Sequence, residues 1–543
     1  MASTPSATDV TRLIKGGSLV YKHIKRMTRQ DPRFQFLPAA EKAVVDLYSN
    51  IASQMPKAEN QSRTEANKEE VVHVDDAPLT ERKYAATAEA SVPATPLSRV
   101  FGFGMLGARL AVGTITSGSV KSGENVEVLA AALCRMRGAA LKLGQMLSIQ
   151  DENVLPKELT DALERVREGA DRMPMEQLEG ILEEDLGEGW EEKRFVEFDT
   201  VPIAAASLGQ VHYGRIKVPV VDVTEYGRQE KEVEKNVAVK IQYPGVATSI
   251  DSDVKNLMTI VRLTNVVPKG LYIDRAMDVA RKELKLECDY ENEAKAQEHY
   301  RGLLRTDRVL SHGVETEGGV KFSVPALYPE LCSKRVLTTE YVPGVPLDQV
   351  AAMNKATRDG VGIAMLRLTL TELFQWNYMQ TDPNWSNFLF AEETNTCHLI
   401  DFGAARSFDK AFVDQYLRMV WGAADRDEGK FLDASVKAGF LNGKESDEMI
   451  AAHIAAGMVV GEPFREQPGN VAFQFGQKED ALTSRVTGEL PTIGRDRLQP
   501  PPTETYSLHR KLSGAFLAAI KLRSSIHCRD MLMEIIDGYE FDE

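Results

Sequence analysis

Three oxygen-bearing side chains in the C-terminal part of the chain have a spacing that suits phosphate chemistry. Asp382 and Asn387 lie five residues apart in one polar loop, and Asp401 follows a short strand predicted at 398–400. A loop aspartate can orient an attacking hydroxyl, and carboxylate and amide oxygens at a strand end suit Mg²⁺ that also binds phosphate oxygens. We therefore predict that Asp382 acts in catalysis and that Asn387 and Asp401 bind Mg²⁺.

An upstream strand supplies a cation for the same chemistry. Lys240 lies in the apolar run V-A-V-K-I-Q at 237–242, the type of position that holds the phosphate-anchoring lysine of protein kinases. On the strand alone, a solvent-facing lysine is the simpler interpretation. The order of Lys240, Asp382 and the D-F-G sequence at 401–403 is that of protein kinases, and each motif is weak alone but strong in this order.

Further residues are predicted to contact a nucleotide. About 35 residues before Lys240, where a protein kinase has a Gly-rich loop, the chain reads I-A-A-A-S-L-G-Q-V at 203–211. Alanine restricts φ and places methyl groups near the phosphates, so this segment is predicted to be an altered nucleotide lid. Near 340, a hinge between lobes is predicted to hold adenine through backbone groups. The predicted nucleotide contacts are Ala204, Ala205, Ala206, Ser207, Lys240, Glu340 and Tyr341.

An acidic segment is predicted to pair with two cations. A single long helix is predicted over 272–300, and Glu293 on it is predicted to pair with Lys240, with a role in catalysis. At about 100° per residue, Glu287 points nearly opposite Asp289, which shares a face with Glu293. Glu287 therefore needs a different cation.

The elements that position these residues form two groups. Strand-like runs at 201–242 and near 320–342 precede a mostly helical region after 360, and residues 218–236 are predicted to be a charged insertion between strands. Strands followed by helices indicate a two-lobed α+β fold. The predicted segments are a basic targeting or membrane-facing segment (1–51), a linker (52–98), a helical extension (99–195), an N-terminal lobe (196–342) and a helical C-terminal lobe (343–543).

Composition excludes several classes of protein. The 543 residues are 43% hydrophobic and 27% charged, with a formal net charge of −15. These values argue against collagen, a wholly disordered chain and a nucleic-acid binder held by bulk electrostatics. The five cysteines have no C-x-x-C spacing and the nine histidines no metal-ligand spacing, so neither a disulfide framework nor a separate metal site is indicated.

Two N-terminal stretches could contact a membrane or could have an ordinary role in a folded protein. Apolar residues between Val10 and Met27 recur at helical spacing among basic side chains, which suits an organellar targeting segment, a helix on an anionic membrane or a solvated surface helix. Residues 100–116 are apolar and Gly-rich, but they contain Arg109 and are shorter than the roughly 20 residues of a spanning helix. This stretch is predicted to face a membrane or a partner, or to pack on its own domain.

Several motifs resemble those of the UbiB-like (aarF-domain) atypical kinases. They are the Ala-rich loop before L-G-Q-V-H, the K-x-G-Q motif in A-L-K-L-G-Q-M-L-S at 140–148 and the E-x-D motif in L-E-C-D-Y at 286–290. T-D-P-N-W-S-N at 381–387 is similar to the mitochondrial coenzyme-Q-biosynthesis branch in particular. The resemblance extends from about residue 94 to about residue 540, including P-P-T-E-T-Y-S-L-H at 501–509. It implies a protein-kinase-like fold that binds ATP or ADP with Mg²⁺.

The resemblance also implies a regulatory contact. In this family the K-x-G-Q helix, here with Lys142, Gly144 and Gln145, lies across the mouth of the site and meets the E-x-D residues, here Glu287 and Asp289. Lys142 is the candidate cation for Glu287, and the alternatives are a snorkelling surface lysine and solvated helix charges. We expect replacement of Lys142 to open the site and to raise autophosphorylation or alter nucleotide preference.

The residues depart from those of an ordinary protein kinase. Thr381 stands where the regulatory arginine of H-R-D normally lies, no A-P-E sequence follows Gly403, and a helix is predicted to start near Ala411. Protein phosphorylation in trans is therefore not expected. Three functions remain open: an ATPase or small-molecule (lipid) kinase acting on lipid-like intermediates or their enzyme complex, a nucleotide-dependent scaffold or pseudokinase, and, with least support, a plain protein kinase.

The resemblance implies a location and partners. It implies a mitochondrial protein, peripheral on the matrix face of the inner membrane, that supports ubiquinone biosynthesis. The implied partners are adenine nucleotide, anionic inner-membrane lipid, coenzyme-Q precursors, the coenzyme-Q biosynthetic enzymes and a second copy of the chain, with no nucleic acid. The first basic residue is Arg12, so no presequence cleavage site is assigned.

Overall fold

The computed structural model describes residues 172–542 except 207, 225–226, 265–272, 314–318, 478–484, 486–491 and 494–495. The basic N-terminal segment, the linker, the stretch at 100–116, the K-x-G-Q motif and Ser207 lie outside the described residues. The predictions made for them, and the predicted segment boundaries, stay predictions.

The first half of the described chain builds an antiparallel sheet flanked by helices. In chain order its elements are α1 (Met175–Leu186), α2 (Trp190–Arg194), β1 (Glu197–Ala205), β2 (Gly209–Thr224), β3 (Gly227–Gln242), α3 (Val246–Thr264), α4 (Ile273–Glu287), α5 (Tyr290–Thr306), α6 (Arg308–His312), β4 (Lys321–Ser323) and β5 (Val336–Glu340). The sheet has the strand order β1-β2-β3-β5, and all three pairings are antiparallel. The strand that carries Lys240 therefore lies inside the sheet.

The second half is mostly helical, with short strand pairs around its loops. Its elements are β6 (Val345–Pro346), α7 (Leu347–Val350), α8 (Lys355–Phe374), β7 (Tyr378–Gln380), β8 (Phe388–Ala391), β9 (Thr396–Leu399), β10 (Ala405–Ser407), α9 (Lys410–Asp425), α10 (Glu428–Lys437), α11 (Asp447–Val460), β11 (Phe473–Gln474), α12 (Thr503–Leu522), β12 (Ser525–Ile526) and α13 (Cys528–Gly538). The predicted α+β fold with strands first and helices afterwards is confirmed. None of the helices that the structure describes combines the length and apolar character needed to span a membrane.

The alternation of side chains along β3 sets the direction of Lys240. Val237, Val239 and Ile241 are fully buried in the core of the sheet. Because successive residues of a strand point to opposite faces, Lys240 projects away from that core. The period-two pattern of the V-A-V-K-I-Q run thus determines which face carries the cation.

The predicted insertion at 218–236 is wrong. β2 and β3 pair continuously up to the Thr224–Gly227 pair, so residues 218–224 and 227–236 are the outer halves of two paired strands. Opposite charges lie across the two strands: Lys217 Nζ is 3.7 Å from Glu232, and Arg215 is 3.3 Å from Glu234. The charge content favours a loop, whereas the valine-rich run V-P-V-V-D-V-T at 218–224 has the β-branched composition of a strand.

The predicted single helix over 272–300 is also wrong. Helix α4 ends at Glu287 and α5 begins at Tyr290. Asp289 lies between them as the N-cap of α5, and its carboxylate accepts a hydrogen bond from the Asn292 N–H at 3.0 Å. Aspartate at this position ends one helix and starts the next, because its side chain satisfies a free N–H of the new first turn. The angular argument that separated Glu287 from Asp289 therefore does not apply.

Candidate functional site

Lys240 pairs with two carboxylates from different parts of the chain. Its Nζ lies 2.7 Å from Glu293 Oε1 on α5 and 3.0 Å from Asp401 Oδ2. The side chain of Lys240 is 15% exposed and that of Glu293 1%. The predicted Lys240–Glu293 ion pair is confirmed, and the structure adds Asp401 as a second anion on the same ammonium.

The burial of this cluster changes its proton affinities. Burial, opposed by the Lys240 ammonium, raises the pKa of Glu293 to about 7, and the nearby charge of Asp401 adds to the increase. Burial lowers the pKa of Lys240, but the carboxylates of Asp401 and Glu293 outweigh it and raise that pKa well above its ordinary value. Two anions thus hold one ammonium, and the cluster carries an excess negative charge above neutral pH.

The Ala-rich segment forms a tight turn beside the end of β3. Ala204 and Ala205 are the last residues of β1, and the Ala206 N–H donates to the Gly209 carbonyl at 2.8 Å. A Cβ on Gly209 would lie 2.2 Å from the Ile241 carbonyl oxygen, so this close approach of two backbones requires glycine. The predicted lid is therefore a hairpin turn fixed against the strand that carries Lys240.

Asp382 and Asn387 contact one another directly. Asp382 is 8% exposed, and its Oδ2 accepts a hydrogen bond from Asn387 Nδ2 at 3.2 Å. Its other carboxylate oxygen accepts from the Asn384 N–H at 3.3 Å. The loop after β7 thus folds back on itself and orients both side chains that the sequence singled out.

Gln380 joins this loop to Asp401. Its Nε2 donates to the Asp401 carbonyl at 2.7 Å, and its Oε1 accepts from the Asp382 N–H at 3.3 Å. Asp401 Oδ1 accepts from the Gly403 N–H at 3.1 Å. The sequence analysis missed Gln380, although it occupies the last position of β7, directly before the predicted loop.

The donor set fits Mg²⁺ bound together with phosphates. The Asn387 amide turns its nitrogen to Asp382, which leaves its oxygen as the atom directed elsewhere, and Asp401 is 28% exposed. Across the described ranges, no three His, Cys, Asp or Glu residues are grouped closely enough to hold a metal by themselves. Mg²⁺ commonly binds through one or two protein oxygens plus phosphate and water, so Asn387 and Asp401 would suffice as its protein ligands.

The predicted hinge has its N–H groups already bonded. The Glu340 N–H donates to the Ala326 carbonyl at 2.8 Å, and the Tyr341 N–H donates to the Asn236 carbonyl at 3.0 Å. Adenine contacts through the backbone of Glu340 and Tyr341 would therefore use their carbonyl oxygens. That role stays a prediction.

The E-x-D residues differ in their surroundings. Glu287 is buried against the D-F-G loop, because a Cβ placed on Gly403 would lie 3.3 Å from Glu287 Cγ. Asp289 is exposed and caps α5. The predicted contact between Glu287 and Lys142, and the regulatory role of Asp289, stay predictions because residues 140–148 lie outside the described residues.

An arginine from the C-terminal helix was missed by the sequence analysis. Arg510 on α12 is buried and donates to Glu283 Oε2 on α4 at 2.9 Å, and its Nε donates to the Thr381 carbonyl at 3.5 Å. The Thr381 hydroxyl donates to the Ala404 carbonyl at 2.9 Å. Arg510 directly follows the segment at 501–509, but nothing in the sequence pairs it with a residue 227 positions away.

The segment after Gly403 is short, as predicted. Strand β10 pairs with β7, and Asp409 then caps α9 by accepting from the Ala411 and Phe412 N–H groups. Helix α9 begins at Lys410. The described structure has no room between these points for an extended activation segment.

Comparisons with known proteins agree with this geometry. The model of the ABC1 atypical kinase-like domain matches residues 165–435. The mitochondrial atypical kinase COQ8B of Danio rerio is 38% identical over 529 residues, covering 94% of this chain and 79% of that protein. The chain belongs to the ABC1 (UbiB-like) family of atypical kinases, in its COQ8 branch. The mitochondrial atypical kinase COQ8 of Saccharomyces cerevisiae is 37% identical over 469 residues, covering 84% of this chain and 87% of that protein.

Membership in the ABC1 family makes this chain a kinase- or ATPase-type enzyme. A solved structure, the complex of Rv3197 with erythromycin from Mycobacterium tuberculosis, matches with a TM-score of 0.45 and 22% identity, covering 74% of this chain and 93% of that one. The ABC1 assignment rests on the sequence relatives, and it agrees with the Lys240–Glu293–Asp401 cluster.

Proposed function

We propose that this protein is an atypical kinase-like ATPase that binds ATP or ADP with Mg²⁺ and supports coenzyme Q biosynthesis. The observation that carries the proposal is the meeting of Lys240, Glu293 and Asp401 within 3.0 Å contacts, beside the bonded pair of Asp382 and Asn387. The link to coenzyme Q biosynthesis comes from the names of the relatives, several of which are called atypical kinase COQ8 or COQ8B.

Each residue has a separate role in this proposal. Lys240 would bind nucleotide phosphates, with Glu293 holding its ammonium in place. Asn387 and Asp401 would hold Mg²⁺, which supplies charge neutralisation at the phosphates when bound. Asp382 would orient the attacking water or hydroxyl, because its two oxygens are fixed by Asn384 and Asn387.

The Ala-rich lid shapes how nucleotide enters. Alanine side chains at 204–206 add methyl groups beside the turn, and the turn itself is fixed to β3 at Gly209. Fewer backbone amides are then free to move towards phosphates than in a Gly-rich loop. This altered lid favours the scaffold alternative described below, whereas the short segment after Gly403 supports the absence of an extended peptide substrate.

The proposed location of the protein is a mitochondrial membrane. The relatives that match most of the chain carry mitochondrial in their names. Peripheral association with anionic lipid on the matrix face of the inner membrane, action on coenzyme-Q precursors or their enzyme complex, and formation of a homodimer are parts of this proposal. They rest on the basic and apolar N-terminal stretches and on the family resemblance.

A nucleotide-dependent scaffold is the second candidate. The observation that favours it is that the Lys240 ammonium bonds to Asp401, the residue that would hold Mg²⁺. In this alternative, binding of nucleotide would change the conformation of the protein, and hydrolysis would be incidental.

Hydrolysis measured with and without anionic vesicles separates the two functions. We expect ATP hydrolysis by the full chain to require Mg²⁺, to rise with cardiolipin-containing vesicles and to be lost in Asp401→Asn. In cells that depend on this protein for coenzyme Q, the same variant should fail to restore coenzyme Q. Normal coenzyme Q with the hydrolysis-deficient variant would favour the scaffold, and hydrolysis unchanged by Asp401→Asn would contradict the proposed site.

A further inference from the structure

Another buried ion pair lies beneath the candidate site. Glu372, near the end of α8, is 0% exposed, and its Oε2 is 2.9 Å from Nζ of Lys511 on α12, which is 2% exposed. Glu372 Oε1 accepts hydrogen bonds from the Tyr300 hydroxyl at 2.8 Å and from the Gln380 N–H at 3.1 Å. One carboxylate thus connects two helices, the buried tyrosine and the strand that leads into the catalytic loop.

The partners of this carboxylate reach both metal-binding segments. Gln380, held by Glu372 through its N–H, bonds with its side chain to the Asp401 carbonyl and to the Asp382 N–H. Tyr300, held through its hydroxyl, packs its ring 5.1 Å from the ring of Phe402. Glu372 therefore contacts one residue that bonds to Asp401 and one that packs against Phe402.

A purely apolar core would not provide this arrangement. Removing two charges from water costs free energy, and a buried ion pair is often no more stable than hydrophobic residues of the same size. A hydrophobic side chain at 372 would leave the Gln380 N–H and the Tyr300 hydroxyl without this acceptor. The carboxylate satisfies both groups with one oxygen, while Lys511 balances its charge through the other.

We propose that Glu372 and Lys511 are positioning residues that fix the spacing of Asp382 and Asp401, and thereby the affinity of the site for Mg²⁺ with nucleotide. The effect on Mg²⁺ rests on the proposed function, whereas the effect on the two loops does not. Glu372 acts through Gln380 and Tyr300 and touches no substrate. Residues that hold metal ligands in place from behind commonly change metal affinity by about 10- to 100-fold when replaced.

The variants follow from the two oxygens of Glu372. In Glu372→Gln, the Lys511 ammonium attracts the amide oxygen, so the amide N–H₂ turns towards Tyr300 and Gln380. The Gln380 N–H then loses its acceptor. Adding Lys511→Met removes the unpaired cation and lets the glutamine oxygen face Tyr300 and Gln380 again. We expect the single variant to impair positioning and the double variant to restore most of it.

Two measurements report how firmly the loops that carry Asp382 and Asp401 are held. In the nucleotide-free full chain, hydrogen exchange of the backbone amides at 380–387 and 401–406 should be faster in Glu372→Gln than in wild type and close to wild type in the double variant. In ATP titrations at increasing Mg²⁺, Mg²⁺ should raise the affinity for ATP. The Mg²⁺ concentration that gives half of this increase should be about tenfold higher or more in Glu372→Gln. Binding of ATP without Mg²⁺ should be unchanged.

A matched control uses another ion pair of the same helix. Arg367 on α8 pairs with Glu534 on α13 at 2.9 Å, where Glu534 is largely exposed. Glu534→Gln removes a carboxylate partner of α8 away from the loops, so it should change neither readout.

The outcomes separate the two proposals. If Glu372→Gln lowers the melting temperature but leaves both loops at wild-type exchange rates, the pair only stabilises the fold and the positioning proposal is overturned. The same conclusion follows if Glu534→Gln accelerates exchange equally. If the loops exchange faster in Glu372→Gln but the Mg²⁺ requirement is unchanged, the proposed effect on Mg²⁺ affinity is overturned. If wild type shows no Mg²⁺-dependent nucleotide binding, the proposed function fails, and the exchange data still decide whether Glu372 positions the loops.

Discussion

Replacement of Glu293 by glutamine is expected to reduce function without the usual cost of breaking a buried ion pair. Removing one partner of such a pair ordinarily costs about 3–5 kcal/mol, because the other charge is left uncompensated. Here Asp401 lies 3.0 Å from the same Lys240 ammonium and remains as its partner. Glu293→Gln converts a buried cluster with two anions and one cation into a neutral pair.

The pKa of Glu293 gives the size and sign of the effect. The folded protein holds the proton with a pKa of about 7, against an ordinary value of 4.5. Because the folded protein binds this proton more tightly than the unfolded chain, the proton stabilises the folded state by about 3 kcal/mol below the unfolded pKa of 4.5. This stabilisation is lost as the pH rises through the folded pKa of about 7. Glutamine has no such proton, so relative to wild type the free energy of unfolding of Glu293→Gln should rise by about 3 kcal/mol across this pH range.

Urea unfolding at about pH 5 and about pH 8 measures this difference. Glu184→Gln is the control, because Glu184 also pairs with a cation, Arg335, at 2.7 Å but is 70% exposed, so its difference from wild type should stay nearly constant. ATP hydrolysis by Glu293→Gln should fall about 10- to 100-fold, the equivalent of one charge-assisted hydrogen bond on Lys240. A loss of 3 kcal/mol or more at about pH 8, or no pH-dependent difference, would refute the electrostatic reasoning.

Three further changes test individual contacts. Gly209→Ala places a Cβ 2.2 Å from the Ile241 carbonyl and should cost about 1–3 kcal/mol in urea unfolding and weaken ATP binding, whereas Gly180→Ala, in open space on α1, should be neutral or stabilising. Thr381→Val removes the hydroxyl that bonds to the Ala404 carbonyl and should lower the free energy of unfolding by about 1 kcal/mol. Equal stability of variant and wild type would show that this hydrogen bond does not stabilise the fold. Asp289→Asn should keep the helix cap and the stability, while Asp289→Ala should lose about 1 kcal/mol, and equal losses in both would argue against a capping role.

The central ion pair was predictable from sequence because two independent patterns agreed. The apolar run V-A-V-K-I-Q and the kinase order of motifs both select Lys240. The usual lysine–glutamate pair of kinases then selects Glu293 as its partner. The direct bond from Lys240 to Asp401 was not predicted. It depends on how closely the D-F-G loop approaches β3, and this tertiary distance has no local sequence signal.

Two predictions are wrong because they give too little weight to a local signal, a strand-forming run in one case and a helix start in the other. The charge of residues 218–236 favours an insertion, although the valine-rich run at 218–224 has the β-branched composition of a strand. The helix over 272–300 was drawn through Asp289, although aspartate before a helical run is also a start signal. In both places the local backbone preference decided the structure.

The buried network beneath the site was beyond sequence reasoning. Glu372 stands in the apolar run L-T-L-T-E-L-F of α8, and a carboxylate in a buried helix needs a partner. The sequence gives no means of choosing Lys511 from the 65 basic residues of the chain. Arg510 and Glu283 present the same difficulty, because their contact joins distant helices.

Calorimetric titration of ATP into the full chain, with and without Mg²⁺, tests the central claim most directly. We expect Mg²⁺ to tighten binding of ATP to wild type and to leave binding to Asp401→Asn unchanged. Without Mg²⁺, that variant should bind ATP at least as well as wild type, because one fewer carboxylate repels the phosphates. Equal tightening by Mg²⁺ in both proteins, or none in wild type, would contradict a magnesium–nucleotide site built on Asp401 and Lys240.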